Sequence, residues 1–209
     1  MAVLKPRCIT TPVDEKIVRS LKLGEKVLLS GQVFTARDRL HKYVFEGGRL
    51  PVSLKDGAVF HCGPVIVRQD GVWQVKAAGP TTSIREEPYM ARFIAITGIR
   101  LIIGKGGMGP STRAALTKHG CAYLSVTGGA AQVLAARVVK VRDGFFVDSF
   151  GMTEALWDLE VRDLPAVVTI DAAGQSLHAR IEDESTRACT RLFAEQPAGT
   201  PPRREGGVQ

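Results

Sequence analysis

Two glycine-punctuated segments, Gly79-Pro80-Thr81-Thr82-Ser83-Ile84-Arg85 and Gly104-Lys105-Gly106-Gly107-Met108, gather three hydroxyls, a guanidinium and an ammonium. A third segment, Thr35-Ala36-Arg37-Asp38-Arg39-Leu40-His41, adds Arg37. These side chains suit recognition of a small anion and movement of a proton beside it. A guanidinium grips a carboxylate through two parallel N–H bonds, and an ammonium brings a mobile point charge. A hydroxyl takes up a proton only where positive charge and exclusion of water support it. Each segment read singly has a plainer meaning. The three hydroxyls could cap the helix that follows, Arg37 could be a solvated surface residue, and Lys105 could sit on an exposed turn. The lysine turn is not a P-loop, because the upstream glycine spacing and a following Ser or Thr are missing.

The elements around these segments set where they stand. Val72 to Ala78 reads as a strand that Gly79-Pro80 breaks. Tyr89 to Ile96 has helical spacing and stops at Gly98, and the apolar run Ile99 to Ile103 reads as a buried strand that delivers Lys105. Both turns therefore follow strands, the place where α/β proteins bind anions. Upstream, Cys8 to Pro12 reads as an edge strand. Asp14 caps a short helix with Ile17 and Leu21 facing inward. Glu25 to Ala36 is a strand or bent pair of strands, and Arg37 to Phe45 is a helix with Leu40 and Val44 inward. Ala58 to Arg68 and Gly71 to Ala78 read as a β-hairpin across Gln69-Asp70-Gly71. Downstream come strands at Cys121 to Val126, Val138 to Val141, Asp158 to Val161 and Ala166 to Asp171, and helices at Ala130 to Ala136 and Ala179 to Glu195. The pattern predicts a single mixed α/β domain over residues 1–196, with a disordered Pro-, Gly- and Arg-rich tail at 197–209.

Composition narrows the function classes. The 209 residues carry a net charge of +7, yet the basic residues are spread out and few aromatics lie among them, which argues against nucleic acid as a partner. The charge suits a small dianion or an acidic partner subunit. No apolar run reaches the ~20 residues that span a bilayer, and the N-terminus lacks a signal-peptide core, so a soluble cytoplasmic protein is expected. Cys8, Cys62, Cys121 and Cys189 are scattered and are expected to be reduced. His61-Cys62 points its side chains to opposite faces of a strand, so no metal site is expected on this chain.

Taken in order, the Arg37 segment, Gly63-Pro64, the Gly79-to-Arg85 segment, the Lys105 turn, Gly128-Gly129-Ala130-Ala131 and Gly151-Met152-Thr153-Glu154-Ala155-Leu156-Trp157 resemble the β subunit of the two-subunit iron–sulfur hydro-lyases. These are class I fumarate hydratase and L(+)-tartrate dehydratase. The same segments resemble the C-terminal domain of single-chain class I fumarases. The resemblance covers roughly Ile9 to Gly174. It implies a swivelling β/β/α domain, an α2β2 assembly, and a larger α subunit whose three cysteines hold a [4Fe-4S] cluster with an open iron. It implies reversible dehydration of a hydroxy-dicarboxylate, malate or tartrate. By the same resemblance Arg37, Thr81, Arg85 and Lys105 face the substrate. Arg37 and Arg85 would hold carboxylates, Thr81 would be the base, and Lys105 would assist the proton transfer or neutralise a carboxylate. Asp38 and His41 would orient Arg37 and the helix start.

Two residues depart from the family pattern, Leu40 where a small residue is usual and Glu86 where methionine is usual. A carboxylate at Glu86 would oppose a dianion unless its side chain turns away. Two other classes are open to the sequence. One is a non-catalytic subunit that lids a partner's cluster site, and the other is an anion- or nucleic-acid-binding module unrelated to dehydration.

Overall fold

A computed structural model describes residues 5–194 of the chain. The strands are β1 (Arg7–Thr11), β2 (Lys26–Thr35), β3 (Ala58–Phe60), β4 (Val65–Gln69), β5 (Val72–Ala77), β6 (Leu101–Gly104), β7 (Ala122–Ser125), β8 (Val138–Phe145) and β9 (Leu156–Ile170). The helices are α1 (Glu15–Arg19), α2 (Asp38–Phe45), α3 (Glu87–Thr97), α4 (Pro110–His119), α5 (Ala131–Ala135), α6 (Val147–Phe150) and α7 (Leu177–Ala194). A 3-10 turn at Ser83–Glu86 precedes α3. Residues up to Leu177 form one compact unit, and those from His178 a second. The tail expected at 197–209 lies outside the described residues.

In the first unit, β1, β2, β3, β6 and β7 run parallel in that spatial order. The long β9 runs antiparallel to them and pairs with both β7 and β2, so β2, β3, β6, β7 and β9 close on themselves. β8 adds to the outer side of β9, and β4 and β5 form a separate hairpin.

Side-chain alternation sorts the strand residues into two cores. Ala58 and Phe60 of β3, Leu101 and Ile103 of β6, and Ala122 and Leu124 of β7 join one cluster, with Val27, Leu29 and Val33 of β2. Their neighbours Val59, Ile102 and Tyr123 join the other, which also takes Leu40 and Val44 of α2, Met90, Phe93 and Ile94 of α3, and Leu116 of α4. A third cluster joins Ile66 to Ala155, Trp157 and Leu159 of the β9 region, with Trp73 packed edge-on to Trp157 at 5.4 Å. Helices α2, α3 and α4 thus cover one face of the parallel strands, and β9 with the short helices α1 and α5 covers the other. This is a three-layer β/β/α arrangement, in the mixed α/β class expected from the sequence. Each large apolar side chain buried this way contributes about 1.5–3 kcal/mol.

Several local expectations hold. β1 is an edge strand, and Asp14 caps α1 by accepting from the Lys16 N–H at 2.6 Å. Gly98 ends α3 with φ +66°, a conformation glycine adopts without strain. Others are corrected. Within α1 the buried residue is Val18, while Ile17 is exposed and Leu21 is buried beyond the helix end. Ala58–Phe60 is a central parallel strand rather than an arm of the hairpin, which begins only at Val65 after Gly63-Pro64. The two strands expected around 158–171 are one, β9. Its Pro165 lies between the stretch paired to β8, which ends at Val161, and the stretch paired to β7, which begins at Val167. A missing N–H costs no ladder bond in that gap. No element was expected at 110–119, where α4 forms with Pro110 in its first turn and Gly120 left-handed after its end.

Leu40, bulkier than the residue expected at its position, is fully buried in the helix-side core. Leu40→Ala is expected to lower the unfolding free energy by about 2–5 kcal/mol through lost burial and the cavity left behind. Urea denaturation measures it; a loss under half a kcal/mol would place Leu40 outside the core.

Candidate active site

The parallel strands end on one edge of the sheet, and three of their exits carry the chemistry. β2 passes into Ala36, whose N–H donates to the Phe60 carbonyl at 3.0 Å. Arg37 follows in extended backbone as the residue capping α2, yet its own side chain makes no capping bond. Glu154, from the loop before β9, does that work. Its Oε2 accepts from the Arg39 N–H at 3.1 Å, and its Oε1 lies 3.3 Å from Arg37 Nε. A carboxylate there suits the positive end of the helix and also fixes the Arg37 guanidinium. Gly63 makes room for it, since a Cβ on residue 63 would fall 3.0 Å from Arg37 Cδ and 2.8 Å from the Thr153 carbonyl.

β3 continues into His61, which stitches the second and third exits together. Its N–H donates to the Ile103 carbonyl at 2.8 Å, and its carbonyl accepts from the Thr81 N–H at 2.7 Å. Cys62 forms a β-bridge with Pro80, and Thr82 forms a parallel one with Lys105. The Ser83 N–H donates to the Lys105 carbonyl at 3.0 Å. The segment after β5 is therefore laid across the sheet edge as a short added strand, with Thr81 one residue from the bridge to Lys105. The Lys105 side chain runs toward the loop after β7, where a Cβ on Gly128 would lie 3.4 Å from Lys105 Cδ. The chain then turns through Ser83–Glu86, and Arg85 pairs with Asp38 in the first turn of α2.

The structure thus brings all four expected residues, Arg37, Thr81, Arg85 and Lys105, to one edge. Thr81, Arg37 and Lys105 are half-buried and Arg85 is exposed. A cavity of about 410 Å³ near the end of α2 is lined by Val44, Leu50, Leu54 and Ile96 and by none of the four.

Beneath them lies a buried polar cluster. Ser83 Oγ accepts from the Tyr123 hydroxyl at 2.8 Å and meets His61 Nδ1 at 2.9 Å. The His61 ring stands edge-on to His41 at 5.1 Å, and His41 Nδ1 contacts the Arg37 carbonyl at 2.9 Å. Burial drives the His41 pKa down to about 4 and holds His61 well below its usual value, so both rings are neutral. Glu86 is fully buried, and burial with an adjoining Asp38 pushes its pKa up to about 9. The carboxyl at Glu86 therefore turns inward and carries no charge at neutral pH. Asp38 is held below the usual carboxylate range, first by its hydrogen bond with Glu86 and also by Arg85.

Asp38 pairs with Arg85, whereas the partner of Arg37 is Glu154. Sequence reasoning did not single out Glu154 as a site residue, although it lies in the quoted Gly151-to-Trp157 segment. Ser83, one of three hydroxyls that the sequence offers as helix caps, is buried, and Tyr123, within the expected strand at 121–126, adds a buried hydroxyl beside it.

No group of three His, Cys, Asp or Glu side chains is placed to hold a metal ion among the described residues. Burial pushes the Cys62 and Cys121 thiols up to about 12, so both are protonated at neutral pH. The described residues do not offer a ligand set for an iron–sulfur cluster. Cys8 and Cys189 are exposed, and all four thiols are free. No helix among the described residues is long and apolar enough to cross a membrane.

The family model of the fumarase C-terminus matches residues 8–181, which include every exit loop just described. The chain belongs to the fumarase C-terminus family. Within it, the L(+)-tartrate dehydratase subunit beta of Escherichia coli K12 is 32% identical over 192 residues, covering 91% of each chain. A Methanocaldococcus jannaschii chain provisionally named for the same subunit is 36% identical over 174 residues, 81% of this chain and 89% of that one. A Geobacillus stearothermophilus chain provisionally named class I fumarate hydratase is 47% identical over 178 residues, 85% of this chain but 34% of the relative. This chain spans about a third of that relative's length. The fumarase C-terminus match thus occurs both in separate subunits and within a longer chain.

The seam between the added strand and β6 is close-packed at Gly104, where a Cβ would overlap the Ser83 hydroxyl and lie 2.9 Å from the Tyr123 hydroxyl. Gly104→Ala is expected to cost about 1–3 kcal/mol through overpacking. Denaturant unfolding measures it, and an unchanged midpoint would mean the seam is not closed in solution.

Proposed function

We propose that this chain is the β-type subunit of a two-subunit hydro-lyase that reversibly dehydrates a hydroxy-dicarboxylate of the malate or tartrate type, with residues 1–196 as its domain. The observation that carries the reading is the gathering of Arg37, Arg85, Thr81 and Lys105 on one sheet edge, in a chain whose relatives are named for such enzymes. A larger partner subunit completes the site and holds the [4Fe-4S] cluster, in an α2β2 assembly. The open layout of the four residues, away from the cavity near α2, suits half a site closed by another surface.

Arg37 and Arg85 each hold one substrate carboxylate. Glu154 and Asp38 keep the two guanidinium groups aimed while leaving N–H donors for the ligand, since a guanidinium offers five. With both ends fixed, the C–H beside one carboxylate is presented to Thr81 Oγ1. Thr81 takes that proton, the C–H electron pair becomes the new C=C bond, and the neighbouring hydroxyl leaves with the electrons of its C–O bond. Thr81 acts as base in its alkoxide form, and the departing hydroxide takes the proton from Thr81 to leave as water and restore that form. Lys105, whose backbone pairs with Thr82 next in sequence to Thr81, supplies the ammonium that favours the anionic oxygen. In the hydration direction Thr81 returns the proton to carbon.

In the reconstituted pair, Thr81→Ala is expected to lower kcat by at least about a hundredfold, as loss of an acid–base group does, with little change in KM. Steady-state assays on fumarate, malate and L-tartrate measure this. Small, equal effects on kcat and KM would instead make the chain a non-catalytic lid. Arg85→Lys is expected to raise KM about tenfold or more, since a lysine cannot grip a carboxylate bidentately. An unchanged KM would remove Arg85 from the binding set.

A further inference from the structure

Asp38 and Glu86 adjoin where the first turn of α2 packs on the 3-10 turn, the Glu86 carboxyl lying 3.3 Å from His41 of the same helix turn and each acid shifting the other's protonation. Asp38 Oδ1 and both carboxyl oxygens of Glu86 are buried and receive no N–H or O–H from any other described residue. Three buried carboxylate oxygens without a donor between them are tolerated only if one of the two acids keeps its proton. Two adjoining carboxylates cannot both ionise cheaply, and the one with less access to solvent and cations retains the proton. Glu86 is that one. It is fully buried, while Asp38 is half-exposed and faces Arg85.

We propose that Asp38 and Glu86 share one proton, carried by Glu86 and donated to Asp38, and that this bond positions Asp38 to hold Arg85 for a substrate carboxylate. The substrate role rests on the dicarboxylate reading above, whereas the shared proton does not. The groups that face Glu86 are Asp38 and His41 of α2, Arg85 of its own turn, and Glu154 from the loop before β9. His41 Nδ1, 3.3 Å from Glu86 Oε2, is engaged with the Arg37 carbonyl at 2.9 Å. Its ring is neutral above pH 4 or so and does not neutralise a Glu86 anion. Loss of the proton would therefore place a second negative charge beside Asp38, loosen Arg85 and oppose an incoming dianion. Glu86 is a positioning residue, acting through Asp38 and Arg85.

The pH dependence has a definite sign. The folded chain keeps a proton on Glu86 up to about pH 9, while the unfolded chain loses it near an ordinary carboxylate pKa. Over that interval this group subtracts stability as pH rises. Glu86→Gln keeps a donor toward Asp38 and cannot ionise, so its urea midpoint is expected to gain on the wild type steadily from pH 5 to pH 9. A difference constant with pH overturns the shared proton. If Glu86→Gln does not fold, the side-chain carboxyl carbon of Glu86 in the wild type decides, followed by NMR across the same range. A resonance that titrates near pH 8–10 supports the pair, and one that titrates near pH 4–5 overturns it.

In the reconstituted enzyme, the wild-type KM for the dicarboxylate is expected to climb toward about tenfold per pH unit above the Glu86 pKa, and the KM of Glu86→Gln is expected to stay flat. Parallel KM profiles overturn the positioning role while leaving the shared proton to the stability arm. A reconstituted pair without hydro-lyase activity overturns the dicarboxylate reading, and the stability and NMR arms still decide the proton.

Discussion

The site depends on one buried hydroxyl. Ser83 Oγ sits between the Tyr123 hydroxyl at 2.8 Å and His61 Nδ1 at 2.9 Å, and its backbone N–H is tied to the Lys105 carbonyl at 3.0 Å. One residue thereby joins the ends of β3, β6 and β7 to the segment that carries Thr81 and Arg85. A hydroxyl so deep would be costly without partners. With them it is a directional clamp, and the glycine at 104 is what lets it approach the sheet. The neutral rings of His61 and His41 extend the clamp to the Arg37 carbonyl. Both arginines, Thr81 and Lys105 are therefore referenced to the same rigid sheet edge rather than to free loops.

Charge balance follows from that arrangement. Three cations stand at the edge, and the chain meets two of them with its own carboxylates, Glu154 at Arg37 and Asp38 at Arg85. Glu86 adds no third anion at neutral pH, because burial keeps it protonated. The edge thus retains a net positive character suited to a dianion, while each guanidinium is held in one orientation. A site that must bind two carboxylates needs both properties.

Much of the fold could be read from the sequence where local signals agree with the tertiary environment. β2, α2 and α3 carry apolar periodicities that match the faces they bury, and Gly98 stops α3 in the left-handed region. Reading failed where the sheet overrode local chemistry. Ala58–Phe60 is a short run buried on both faces, and such a run does not reveal whether it pairs with a hairpin mate or with distant parallel strands. Arg162-Asp163-Leu164-Pro165 looks like a break, but β9 runs through it: the Arg162 N–H donates to the Arg137 carbonyl at 2.8 Å, Leu164 and Pro165 pair with β2, and the register against β2 shifts between Val161 and Leu164. The four candidate residues are visible through their segments, and the fold places those segments on one sheet edge. The carboxylate partners of these residues are not visible in that way, since Asp38–Arg85 and Arg37–Glu154 join residues 47 and 117 positions apart, and whether Glu86 turns away from the edge is decided only by the fold, which buries it.

The central claim is that this chain supplies half of a hydro-lyase site, and reconstitution tests it most directly. The chain would be assayed alone and after anaerobic co-expression with a cluster-bearing larger subunit, on fumarate, malate and L-tartrate. The account predicts no turnover by the isolated chain and turnover of at least one substrate by the pair. Failure to associate with a cluster-loaded partner, or a complex inactive on all three substrates, would contradict it.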